Sequence, residues 1–148
     1  MDMETLALAQ DAIKTSSPTT KVYVGSDSQR FKGGIIKYAT VVILHIDGNK
    51  GGKMFSFIEK EQDYLGPKNP RVRLVNEAYK AADVANALLN VIGDRELQIH
   101  LDLNTDPNHK SSTALKEACG LVLGMTGIHP KVKHESWAAS TAADRISK

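Results

Sequence analysis

Four carboxylates carry the chemistry this sequence offers: Asp27, Glu77, Asp102 and Asp144. Asp27 lies in the run 22–29, Val-Tyr-Val-Gly-Ser-Asp-Ser-Gln, where strand-forming residues and a glycine precede it. It stands where a strand is expected to run out, and a carboxylate there is costly to bury unless a cation or hydrogen bonds receive it. Asp102 closes a second apolar run, Leu-Gln-Ile-His-Leu-Asp-Leu at 97–103. If the two strands are neighbours ending at one edge of a sheet, the two acids meet. Carboxylates held together repel unless a divalent cation lies between them. Hard oxygen ligands, with no cysteine–histidine cluster, favour magnesium or manganese over zinc. Two such ions, roughly 4 Å apart, activate a water and stabilise the leaving oxygen in phosphodiester cleavage.

Each acid also has a plainer reading. Asp27 opens a turn with Ser28 and Gln29. Glu77 stands four residues after Arg73 and three before Lys80, the spacing of a surface ion pair. A helical projection puts it at the edge of the stripe Leu74, Ala81 and Leu88, where a helix meets a sheet. Alternation sets His100, Asp102 and Asn104 on one strand face, opposite Ile99, Leu101 and Leu103, and that face could simply be exposed. Asp144 completes a capping box with Thr141. The five histidines are too scattered for a zinc motif, and Trp137 is expected to pack the last helix. Lys131, Lys133, Arg145 and Lys148 form either a phosphate-binding edge near Asp144 or a solvated face.

The elements that must position these acids follow from periodicity. Residues 2–14 form a short helix with Leu6, Ala9 and Ile13 on one face, ended by a polar run with Pro18. Strands are expected at 21–27, at 35–46 and around Met54, Phe55, Phe57 and Ile58. The tight link at 31–34 and the Asp47-Gly48 hairpin signal make these three antiparallel neighbours. A loop at 64–70 leads through Asn69-Pro70 into a helix over 72–92, which Gly93 ends. A fourth strand at 97–103, a polar loop at 104–110 and a helix from 112 to 125 follow, closed by Gly124 or Gly127. After Pro130 a fifth short strand is expected at 131–134, then an alanine-rich helix over 137–148. A meander followed by alternating helices and strands predicts one α/β domain over 1–148, a mixed five-stranded sheet with helices on both faces.

Composition sets bounds on this reading. The 148 residues suffice for one domain with a real core, and 41% hydrophobic against 24% charged residues fits a soluble globular chain. A net charge of +2 is too small to argue for nucleic-acid binding by itself. The single Cys119 excludes an internal disulfide, fits a reducing compartment and is expected to pack as a small core residue. No apolar run approaches the roughly 20 residues of a membrane span. The opening Met-Asp-Met-Glu lacks the basic start of a secretory signal, so a cytoplasmic location is expected, with no membrane partner.

At this point the sequence resembles the ribonuclease H-like superfamily and, more narrowly, the YkuK family of predicted RNase H-like nucleases. The residues that carry the resemblance are the run 22–29; Ile-His-Leu-Asp-Leu-Asn at 99–104 with Pro-Asn-His-Lys at 107–110; and Ala-Ala-Ser-Thr-Ala-Ala-Asp-Arg at 138–145. On this resemblance Asp27 and Asp102 match the first-strand and fourth-strand metal ligands, and Asp144 matches the acid of the C-terminal helix. Glu77 is assigned by its place in the first helix after the hairpins, with Glu59 and Glu61 as rivals. The implied activity is hydrolysis of phosphodiester bonds with two Mg2+ or Mn2+ ions held by the four acids, leaving a 3′-hydroxyl and a 5′-phosphate. Ser28, Asn104, His109 and Lys110 are auxiliary candidates; the His109–Lys110 pair either assists proton transfer or product release, or is merely solvated. Without an obvious basic protrusion, RNA–DNA hybrid, structured RNA and branched DNA all stay open as the nucleic-acid partner. Oligomeric state is not readable from the sequence. Two competitors remain, a binding module with this fold that does not cut and an assembly protein whose acids are scattered surface groups.

Overall fold

The computed structural model describes residues 1–47, 51–63, 70–102, 112–132 and 138–147. Helix α1 (Met3–Thr15) starts where the Asp2 carboxylate accepts the Glu4 backbone N–H at 3.0 Å. It buries Leu6, Ala9 and Ile13, as the periodicity predicts. Strand β1 (Lys21–Phe31) then pairs along its whole length with β2 (Ile35–His45), and β2 with β3 (Gly52–Gln62), both antiparallel. The β1–β2 turn needs Gly33 and Gly34 because both have positive φ, 81° and 71°.

Helix α2 (Pro70–Ile92) opens on proline, whose missing N–H costs nothing at a first helical position, and Gly93 ends it in the left-handed region. The chain crosses from β3 to the far side of β1, where β4 (Glu96–Leu101) adds in parallel. The strand order is therefore β3-β2-β1-β4. Helix α3 (Ser112–Thr126) follows and is closed by Gly127, at φ 75°. The chain finishes in a π-helical segment, Ala138–Ala143, and one α-helical turn, α4 (Asp144–Ser147).

The two strand faces bury different partners. Val22, Val24, Val42, Leu44, Ile99 and Leu101 pack with α1, α2 and α3 in the main core. Tyr23, Val41 and Ile43, of opposite parity, pack against Ala138 and Ala143 in a smaller one. Helices on both faces of a mixed sheet are what the element order predicts.

Four expectations differ from what the structure describes. Among the described residues the sheet has four strands, not five. At the place of the fifth, Lys131 makes a single parallel bridge to His100, its N–H and C=O bonding Ile99 and Leu101 at 2.8 Å each. Pro130 precedes it without an N–H to donate, and Val132 is not paired. Second, β1 does not end at Asp27: β2 pairs it as far as Phe31, so its length is set by that partner. Third, the last segment is not one regular helix, since its first part is π-helical. Cys119 is half-buried rather than a core residue, and burial pushes its thiol up. Among the described residues no helix is long and apolar enough to cross a membrane.

Candidate active site

The β1–β4 ladder stops one residue before both strand acids. Ser26 pairs with Leu101 as the last match, so Asp27 and Asp102 are the next residues on neighbouring parallel strands. Beyond this point β1 continues with β2 on one side only. Among the described residues nothing pairs with β1 on that side beyond Ser26, which leaves a notch in the sheet at the end of β4.

Alternation assigns each side chain to a face. Asp27 shares parity with Tyr23 and so lies on the face of the π-helical segment; Ser28 shares parity with Val22 and Val24 and lies under α2. Glu77 comes down from α2 on that second face. Its Oε1 accepts the Ser28 hydroxyl at 2.6 Å in a buried contact. Asp27 and Glu77 are only 9% and 5% exposed, and Asp102 is half-buried.

Burial pushes the Glu77 carboxyl well above the usual carboxylate range, and the neighbouring charge of Asp27 pushes it the same way. The Ser28 hydrogen bond and the Arg73 guanidinium pull it back down, and Asp102 again raises it. Both strand acids thus act on the helix acid across the notch. The surface ion pair that the spacing of Arg73, Glu77 and Lys80 allowed does not form as such. Lys80 turns instead to Glu59 and to Glu61, the latter at 2.9 Å, and lies over the Tyr38 ring. Glu59 and Glu61 are on β3, two strands from Asp27, and are engaged there.

The backbone of Asp144 begins α4, directly after the π-helical segment, a conformation found often at functional sites. Its side chain, and Asn104, His109 and Lys110 altogether, lie outside what the structure describes. His100, expected to flank Asp102 on a polar face, is fully buried by that segment. Its Nδ1 accepts the Ala138 N–H at 3.1 Å. A backbone N–H only donates, so the ring is neutral at that nitrogen and its proton sits on Nε2, toward Gln98 Oε1 at 3.0 Å. The ring therefore ties β4 to the segment that carries Asp144.

Sequence reasoning missed Arg73 as more than an ion-pair partner. It is half-buried one turn before Glu77, and among the described residues its Nε is buried without a hydrogen-bond partner. Its four-residue offset from Glu77 on a helix was the available signal.

The donor set fits a hard divalent cation in kind: three carboxylates whose mutual repulsion raises the proton affinity of the buried one. Among the described residues no three His, Cys, Asp or Glu side chains stand gathered as a ready-made metal site.

A family model described as ribonuclease H-like matches residues 5–148, and the chain belongs to that family. No curated protein and no solved structure matches it.

Proposed function

We propose that this protein is a divalent-metal-dependent nuclease that hydrolyses phosphodiester bonds in RNA, as hybrid or structured RNA, or in branched DNA. The observation that carries this reading is the placement of the acids: Asp27 and Asp102 directly follow the last β1–β4 pair on adjacent parallel strands, and buried Glu77 is bonded to Ser28 beside Asp27. Asp27, Glu77 and Asp102, with Asp144 from the last helix, would hold Mg2+ or Mn2+, two ions in the full site. Bound there, the metal would activate a water for attack and stabilise charge on the leaving oxygen.

The chain's own residues have separate tasks. Asp27 and Asp102 set a negative rim on two adjacent strands. Ser28 holds one oxygen of Glu77 and fixes the direction of the other. The Arg73 guanidinium, one turn before Glu77, offsets part of the negative charge gathered at this rim. His100 keeps the Asp144 segment against β4.

The test is cleavage of a substrate panel (hybrid, single-stranded, duplex and four-way-junction nucleic acids) with magnesium or manganese. Asp27→Asn and Glu77→Gln are each expected to lose at least about a hundredfold in rate while the circular dichroism spectrum is kept. Undiminished cleavage by Asp27→Asn removes that residue from the mechanism. One observation favours a second reading, binding without cutting: the described carboxylates are not gathered as metal ligands. Binding without turnover across the panel and both metals would select it.

A further inference from the structure

The sheet face that carries Asp27 is only partly covered. The π-helical segment and α4 pack over Tyr23, Val41 and Ile43, whereas Phe31 and Ile58 on the same face stay 45% and 44% exposed. Register places the side chains in rows across β1, β2 and β3: Asp27–Ala39–Ile58, then Gln29–Lys37–Lys60, then Phe31–Ile35–Gln62. A hollow of ≈ 430 Å³ opens over the last two rows, lined by Phe31, Lys32, Ile35, Lys37 and Lys60.

Charge is sorted between the two faces. Glu59 and Glu61 have the opposite parity to Lys60 and lie on the α2 side, where Lys80 receives them. On the hollow's own face, Asp27 is the one acid that β1, β2 and β3 contribute among the described residues. An exposed aromatic ring framed by lysines suits a ligand that is both planar and anionic. Stacking and backbone neutralisation are together the signature of single-stranded nucleic acid.

We propose that this hollow is a subsite for an unpaired stretch of the substrate strand, with a base stacked on Phe31 and phosphates beside Lys37 and Lys60. It deepens the nuclease reading and rests on it for the position of the cut bond. Phe31 lies two rows from Asp27, about 13 Å along β1. At a stacked rise of about 3.4 Å per nucleotide, that is roughly four nucleotides from the acids. A base inside a duplex cannot offer its face to Phe31. The preferred substrate therefore carries an unpaired run beside the cleaved phosphate.

The test uses the full chain in EDTA, so that binding is read without cleavage. Fluorescence anisotropy compares a labelled 12-nucleotide single strand, a blunt duplex, and duplexes with 3′ or 5′ tails of two to eight nucleotides. The single strand and one class of tailed duplex are expected to bind more tightly than the blunt duplex, with the gain setting in near four tail nucleotides. Phe31→Ala is expected to weaken single-strand binding by roughly 5- to 150-fold, and Phe31→Trp to restore it. Lys60→Glu is expected to lower the slope of log affinity against log salt by about one. No single-strand binding by the parent chain, equal binding of the blunt duplex, or an unchanged Phe31→Ala affinity overturns the proposal. So does displacement by polyglutamate at equal charge, which would assign the hollow to an acidic polypeptide. Failure of the nuclease reading looks different: the tail preference and its loss in Phe31→Ala persist, while no metal supports cleavage.

Discussion

The hydroxyl of Ser28 donates to Oε1 of Glu77 at 2.6 Å, joining the middle of β1 to the first half of α2. The bond is buried and charge-assisted whenever Glu77 is ionised, so it favours the ionised form. Ser28→Ala leaves Glu77 without that partner. The expected cost is about 1–3 kcal/mol in denaturant unfolding. The same variant is expected to raise the proton affinity of Glu77 and so to need more magnesium at neutral pH. Ser28→Thr, which keeps the hydroxyl, is expected to recover most of both losses. Equal magnesium dependence in Ser28→Ala and the parent would show that this bond does not tune the site.

Glu77 also makes stability depend on pH with a definite sign. Its folded pKa is raised, first by burial and then by Asp27, so the folded chain holds a proton that the unfolded chain releases just above pH 4.5. Its contribution is fully present below that point and is lost as pH rises toward the folded pKa. Within this window the slope attributable to Glu77 approaches about 1.4 kcal/mol per pH unit. A divalent cation that binds the ionised form displaces the proton, so its stabilising effect is expected to grow with pH. Thermal unfolding from pH 5 to 8, with and without magnesium, measures both trends. In Glu77→Gln the metal-free curve is expected to flatten across the window. A parent chain whose metal-free stability rises across the window, with Glu77→Gln no flatter, would contradict the assignment.

Much of this arrangement was legible in the sequence because apolar periodicity reports burial directly. Leu6, Ala9 and Ile13 on α1, and the burial of Ile99 and Leu101, needed no tertiary knowledge; the burial of His100 on the opposite face did. The extent of β1 was not legible, since β2 carries it past Asp27 to Phe31, and the neighbour rather than the segment decides where a strand stops. The fate of Glu77 was open for a similar reason. Its spacing on α2 allowed an ion pair with Lys80, and only the packing of α2 on the sheet sends Lys80 to β3 and Glu77 to Ser28. Of the fifth strand expected at 131–134 the structure describes one bridge at Lys131, positions 133 and 134 lying outside the described residues; a short β-prone run after proline shows propensity but not how many partners it finds. Asp27, Asp102 and Asp144 were visible through their places at or near the ends of expected elements, whereas Glu77 and Arg73, both interior to α2, kept the ion-pair reading open until the packing of α2 on the sheet was known.

The choice among three glutamates gives the last prediction. Glu59 and Glu61 stand on β3 beside Lys80, and the hydrogen bond from Lys80 holds Glu59 below the usual carboxylate range. Burial alone would pull Lys80 down, but its bonds to the two glutamates outweigh that and hold it above its ordinary value. This cluster is a half-exposed clamp between α2 and the outer strand, one turn along the same side of the helix from the Ser28 contact. Glu59→Gln and Glu61→Gln are therefore expected to leave metal-dependent cleavage within about twofold of the parent and to cost about 0–1 kcal/mol in stability. Glu77→Gln is expected to remove cleavage while keeping the fold. Single-turnover rates and urea midpoints on the three variants separate the roles. Loss of cleavage in Glu59→Gln or Glu61→Gln with Glu77→Gln still active would move the metal ligand from the helix to β3, two strands across the sheet's α2 face from Ser28.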